Sequence, residues 1–170
     1  MGSPETAERL MTPANSIRSA RAEHTTRAGM STYLWITVGS ALGGVLRYAL
    51  TRLTLDSSTT FPWGTILINV IGCFVIGFFG TLTFPGSRFE APENIRLFVM
   101  VGLCGGFTTF SSFSLQTFDL LRTGEWSRAL ANVTLSVVLC LGSVALGHMV
   151  AHHSNRIFAV AANQEEEYTG

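Results

Sequence analysis

Residues 105–113 read GGFTTFSSF and sit in a run without a single charge from Leu97 to Phe118. The hydroxyls of Thr108, Thr109, Ser111 and Ser112 alternate with the rings of Phe107, Phe110 and Phe113, which recur every third residue and so share one helical face. Hydroxyls donate hydrogen bonds, and an aromatic ring has a positive edge; together they can replace part of an anion's water shell without any titratable group. The same aromatic stripe also suits ordinary packing. Gly105 and Gly106, followed by four hydroxyl residues, are a poor recipe for a helix, because glycine frees the backbone and hydroxyls compete for its hydrogen bonds. A break at this point is expected, and backbone carbonyls released there would suit a hard cation such as Na⁺.

Other spans add polar groups. Asn69 lies in FPWGTILINVIGCFVIGFFGTLT, with Thr65 one turn before it. Its carboxamide can join helices or donate to a passing anion, offering two donors and no net charge. Arg47, in LWITVGSALGGVLRYAL, either extends its guanidinium to the membrane interface or places a fixed positive charge in a wet vestibule. Gly39 and Gly43 in that segment form a GxxxG step for close helix packing. Asn132, Ser136 and Cys140 follow at intervals of four and make one stripe, suited to packing or to a polar track.

The elements that hold these residues are membrane helices. The chain has 170 residues, 47% hydrophobic and 13% charged. Its four apolar stretches, Leu34–Leu53, Phe61–Thr83, Ile95–Leu121 and Ala129–Ala151, can each cross a hydrocarbon core, which takes about 20 helical residues. The third has 27 residues, about 40 Å if unbroken, longer than a crossing requires. An all-α membrane protein with a break in its third helix follows. Residues 1–30 are expected as a flexible N-terminal tail, 31–152 as the membrane domain and 153–170 as a C-terminal tail. Glu5, Glu8 and Glu23 and the lack of an early apolar stretch count against a targeting segment.

A net charge of zero and the lack of zinc or phosphate-loop motifs give no reason to expect nucleic acid or nucleotide as a partner. Cys73, Cys104 and Cys140 fall in separate apolar runs, so neither a disulfide nor a thiol metal site is expected. With termini on one side, six arginines near helix ends lie on that side (Arg18, Arg21, Arg27, Arg88, Arg96, Arg156) against three opposite (Arg52, Arg122, Arg128). That excess favours cytoplasmic termini, but without the three tail arginines the sides balance, a pattern that permits insertion both ways.

GGVLRY at 43–48, GTILINVIGCF at 64–74 and GLCGGFTTFSSFS at 102–114 closely resemble the Fluc family of fluoride channels, also called CrcB. The likeness covers about residues 33–150, and the third motif is its most specific part. The resemblance implies an antiparallel, dual-topology homodimer in the cell membrane, surrounded by lipid, that passively exports cytoplasmic fluoride and is not an enzyme. It also implies a central structural Na⁺ on the backbone carbonyls of Gly105 and Thr108 of both subunits. Phe110 and Phe113 would be the aromatic pair facing fluoride and Asn69 a donor. Ser112 and Ser136 would match polar-track hydroxyls, and Arg47 the first-helix arginine. Asn132 departs from the pattern, standing where a tyrosine is common. Two alternatives remain: a small proton-coupled multidrug exporter, which needs a membrane carboxylate that no span holds well inside it, and a nontransporting membrane scaffold.

Overall fold

Trp63–Leu82 carries twenty residues without a charge and begins one residue after Pro62, whose fixed backbone suits a helix start. Its first turn is tied down from outside, by the Ser58 Oγ that accepts from the Gly64 N–H at 2.9 Å. Pro92 plays the same opening part for the third span, where Glu93 occupies the first turn and complements the helix dipole. Gly124 closes that span. It has φ +82°, and hydrogen bonds from its N–H to the Leu121 carbonyl and from the Glu125 N–H to the Leu120 carbonyl make the left-handed stop that only glycine adopts without strain.

The computed structural model describes the backbone of residues 13–85, 87 and 89–169, and the side chains of 29–85, 87 and 89–157. The expectations for residues 1–12, for Arg88 and for the side chains of the tail arginines Arg18, Arg21 and Arg27 lie outside the described residues. Two units are distinguished, Met1–Leu34 and Trp35–Gly170. The described backbone of the first is helical from Pro13, within the segment read as a tail; Ala and Arg are good helix formers even without an apolar face.

In chain order the helices are α1 (Pro13–Leu53), a 3₁₀ turn (Asp56–Ser58), α2 (Trp63–Leu82), α3 (Glu93–Arg96), a π-helical stretch (Leu97–Leu103), α4 (Cys104–Phe107), α5 (Phe110–Arg122) and α6 (Trp126–Thr169). Among the described residues, four helical stretches are long and apolar enough to cross a membrane: Gly29–Leu53, Trp63–Leu82, Glu93–Arg122 and Trp126–Ile157. The molecule is an all-α, multi-pass membrane protein.

Within the second unit, small residues set the spacing between helices, as expected where lipid removes the hydrophobic drive for association. A methyl group on Gly43 would collide with the Leu103 carbonyl, and one on Gly106 with the backbone of Ser40. The GxxxG step of α1 therefore meets the third span backbone to backbone. On the other side of α2, methyls on Gly77 and Gly147 would strike the Val144 and Phe74 carbonyls, so α2 and α6 are held equally close. The Ser143 hydroxyl donates to the Val70 carbonyl across that contact at 2.8 Å. Cys73, Cys104 and Cys140 are all free thiols.

Candidate functional site

Between α4 and α5, Thr108 (φ −75°, ψ 157°) and Thr109 (φ −148°, ψ 106°) are extended. The glycines expected to lie at the irregular point, Gly105 and Gly106, are instead helical, inside α4. Gly106 serves the approach of Ser40, whereas the space beside Gly105 is open. The hydroxyl residues, and not the glycines, leave the helical backbone.

A side chain from another helix engages the extended pair. Asn69 of α2 accepts from the Thr109 N–H through Oδ1 at 2.8 Å and donates to the Thr109 carbonyl through Nδ2 at 3.2 Å. The carboxamide thus pairs with a strand-like backbone as a neighbouring strand would, satisfying groups that lipid cannot. In a continuous helix the Thr109 N–H would bond the Gly105 carbonyl. Asn69 diverts that donor, leaving the Gly105 carbonyl without its helical partner, while ψ 157° swings the Thr108 carbonyl out of the ladder. Gly72, three residues along α2 from Asn69, makes the fit possible: a methyl there would collide with Thr108 Cγ2.

Thr109 also starts α5. Its Oγ1 accepts from the Ser112 N–H at 3.1 Å and donates to Ser112 Oγ at 2.9 Å, capping the helix. The cap leaves the positive pole of α5 beside Phe110 and Phe113, whose ring centroids are 5.4 Å apart and tilted by 46°.

A cavity of about 350 Å³ brings Asn69, Gly105, Thr108, Phe110, Phe113 and Ser136 together. Two residues expected with them do not line it. Ser112 is held in the α5 cap, and Arg47 is half-buried on α1. No carboxylate, imidazole or cationic side chain is on the lining, which also includes Cys73, Cys140 and Met100. Cys140 belongs to the Asn132–Ser136–Cys140 stripe that suited packing or a polar track, whereas Cys73 was read as filler and Met100 was not singled out, since a thiol or thioether gives no pattern that separates lining from packing.

Ser136 reaches the cavity from a second polar group. Asn132, 1% exposed, donates to Thr117 Oγ1 at 2.8 Å and accepts from the Ser136 hydroxyl at 3.4 Å. Thr117 in turn donates to the Phe113 carbonyl at 2.8 Å. Thr117 was missed in the sequence, where a threonine in an apolar helix carries no sign of a partner on another span.

The site therefore offers neutral donors, aromatic rings and free carbonyls, with no carboxylate or imidazole to exchange a proton and no cation to hold an anion by full charge. Its residues fall inside a match to the family described as "CrcB-like protein, Camphor Resistance (CrcB)", over residues 34–148. A protein of Methylobacterium radiotolerans named fluoride-specific ion channel FluC is 59% identical over 125 residues, 74% of this chain and 87% of that protein. The protein of the same name from Methylocella silvestris is 59% identical over 126 residues, 74% and 96% of the two chains. That of Paramagnetospirillum magneticum is 52% identical over 128 residues, 75% of this chain and 100% of its own.

Proposed function

The chain belongs to the CrcB family, and from that premise we propose that it is a passive fluoride channel of the cell membrane which lets cytoplasmic fluoride leave down its electrochemical gradient. It is not an enzyme. The observation that carries the reading is the uncharged cavity in which Asn69 meets the extended Thr108–Thr109 backbone beside the Phe110–Phe113 pair. Fluoride is small and strongly hydrated, so a path for it must present dense donors in place of water. Neutral donors also let it go, where a ring of cations would hold it.

Each part has a role. Of Asn69's two amide hydrogens one is engaged by Thr109, and the other is the donor available to the ion. Phe110 and Phe113 present ring edges, and Ser136 a hydroxyl. Ser112 acts through the cap that positions Phe110, and Arg47 raises the anion concentration near a mouth of the path.

The second subunit is an antiparallel copy. Phe110 is 79% exposed on a single chain although it lines the cavity of the proposed path, so a partner that covers it would complete that path. Gln116 Oε1, on α5 too, is buried with no hydrogen-bond partner. The balanced arginines of the connecting segments permit both insertions, and lipid surrounds the pair. The carbonyls of Gly105 and Thr108 fit a structural Na⁺ at the subunit crossing: they are hard oxygen donors, one deprived of its helical N–H and the other swung out of the ladder. The two carbonyls of each subunit would hold the ion, whose positive charge would offset the repulsion between their dipoles.

The test is fluoride efflux from liposomes, followed with a fluoride electrode and compared with chloride. Flux of fluoride well above chloride is expected, and Phe110→Ile suppresses it while the dimer persists. A membrane scaffold gives no flux. A proton-coupled exporter needs a carboxylate at its site, and the cavity has none.

A further inference from the structure

Toward the end of α2 and along α6 lies a group of side chains that does not line the cavity around Asn69. His148 and His152 stand one turn apart on α6, both exposed, with ring centroids 6.1 Å apart and an angle of 31° between their planes. Among the described residues no set of three His, Cys, Asp or Glu side chains gathers to hold a metal. Two imidazoles with this spacing nonetheless suffice to chelate one ion, with water in the remaining positions.

The ring separation is within reach of one shared ion. Imidazole nitrogens bind Zn²⁺ at about 2.0–2.1 Å, so one ion between two rings puts their centroids about 6 Å apart. One ring is already anchored: His148 Nδ1 and Thr81 Oγ1 of α2 share a hydrogen bond of 2.8 Å. With Nδ1–H donating to Thr81, the Nε2 lone pair is the one left for a metal. This is the outer partner that orients most metal-binding histidines.

A second observation points the same way. Thr81, His148, His152 and Asn155 line one cavity of about 510 Å³. Asn155 donates through Nδ2 to the Thr81 carbonyl at 3.4 Å, yet its Oδ1 is buried without a partner. An orphaned carboxamide oxygen costs free energy unless a cation or water meets it. We propose that His148 and His152, with Thr81 behind one ring and Asn155 Oδ1 beside them, form a binding site for a divalent transition-metal ion of the Zn²⁺, Ni²⁺ or Cu²⁺ class. The imidazole pair selects these ions over Mg²⁺ and Ca²⁺, which prefer all-oxygen sites. The site is independent of the proposed channel activity.

Untagged, purified full-length protein is titrated with Zn²⁺ against a chromophoric chelator. One ion per subunit is expected. His148→Ala and His152→Ala should each weaken binding at least tenfold, and Thr81→Val, which removes the ring's anchor, less than either. His153 and Arg156 line a second pocket with the pair, so the control is His24→Ala, 124 positions earlier in the sequence than His148, which should leave binding unchanged. Thermal melting of each variant separates a lost ligand from a lost fold. The proposal is overturned if the wild type binds no more Zn²⁺ than the His148→Ala/His152→Ala double variant. It is equally overturned if His24→Ala weakens binding as much as His148→Ala does while melting like the wild type.

Discussion

Two polar regions lie within the membrane-spanning helices, and they use hydrogen bonds in opposite ways. At the α4–α5 junction a side chain, Asn69, satisfies backbone groups of Thr109 and thereby leaves other backbone carbonyls free. Around Asn132, side chains satisfy one another: Ser136 donates to Asn132, Asn132 to Thr117, and Thr117 to the Phe113 carbonyl. The first arrangement opens a coordination site, whereas the second closes a network on itself in which, of Asn132, Thr117 and Ser136, Ser136 alone reaches the cavity. An asparagine in a membrane helix is therefore not in itself a sign of an ion path; its partner decides.

The hardest way to break the comparison is Asn69→Leu. It strands the Thr109 N–H and carbonyl where lipid offers no substitute, at about 1–3 kcal/mol for each buried orphan. Fluoride efflux should fall more than about a hundredfold, with a lower melting temperature. Asn69→Asp separates the two roles. It keeps the acceptor for Thr109 N–H, but loses the donor and adds a negative charge, so flux should collapse while the fold persists. Flux equal to the wild type in both variants would remove Asn69 from the path and from the junction together.

Gly72→Val should come next. The added side chain meets Thr108, and overpacking of this kind costs about 1–3 kcal/mol. Displacing the Thr108 carbonyl should reduce flux and weaken the dimer in size-exclusion or crosslinking measurements. It should also blunt any Na⁺ dependence of assembly. Gly44→Ala is the control, because the space beside Gly44 is open.

How far the chain announces these regions differs between them. The four crossings could be read from apolar run length, and the expected Phe61–Thr83 differs from α2 by only a residue or two at each end. Irregularity in GGFTTFSSF could be read as well, from its glycines and hydroxyls together, but of these residues it is Thr108 and Thr109 that are extended. Gly106 is needed for contact with Ser40 and stays helical, while Thr108 and Thr109 leave the helix because Asn69, 40 positions away, takes the bonds of Thr109. Such a partner is set by tertiary packing and leaves no local trace. The π-helical stretch Leu97–Leu103 was hidden for a similar reason: a widened turn changes hydrogen-bond register without changing hydrophobicity. Six of the eight site residues named through the family resemblance share the cavity, since a motif carries residue identities even where the backbone path cannot be read from them.

Thr109→Val should have a smaller effect. It deletes the α5 cap, worth about 1 kcal/mol, but spares the backbone pairing with Asn69. Melting should drop by a few degrees and flux by less than about tenfold, against the near-complete loss for Asn69→Leu.

Asn132→Leu should change least, and in the opposite direction. It removes a closed network rather than an open site, so the cost is that of Thr117 Oγ1 losing one donor, about 1 kcal/mol. The Ser136 hydroxyl, whose hydrogen is directed to Asn132 at 3.4 Å, becomes free to turn into the cavity it already lines. Fluoride flux should stay within about threefold of wild type, on the higher side, because a 3.4 Å bond is a weak restraint. Measured efflux reduced as severely as by Asn69→Leu would mean that the ion passes through the buried network itself, and the contrast between the two regions would be lost.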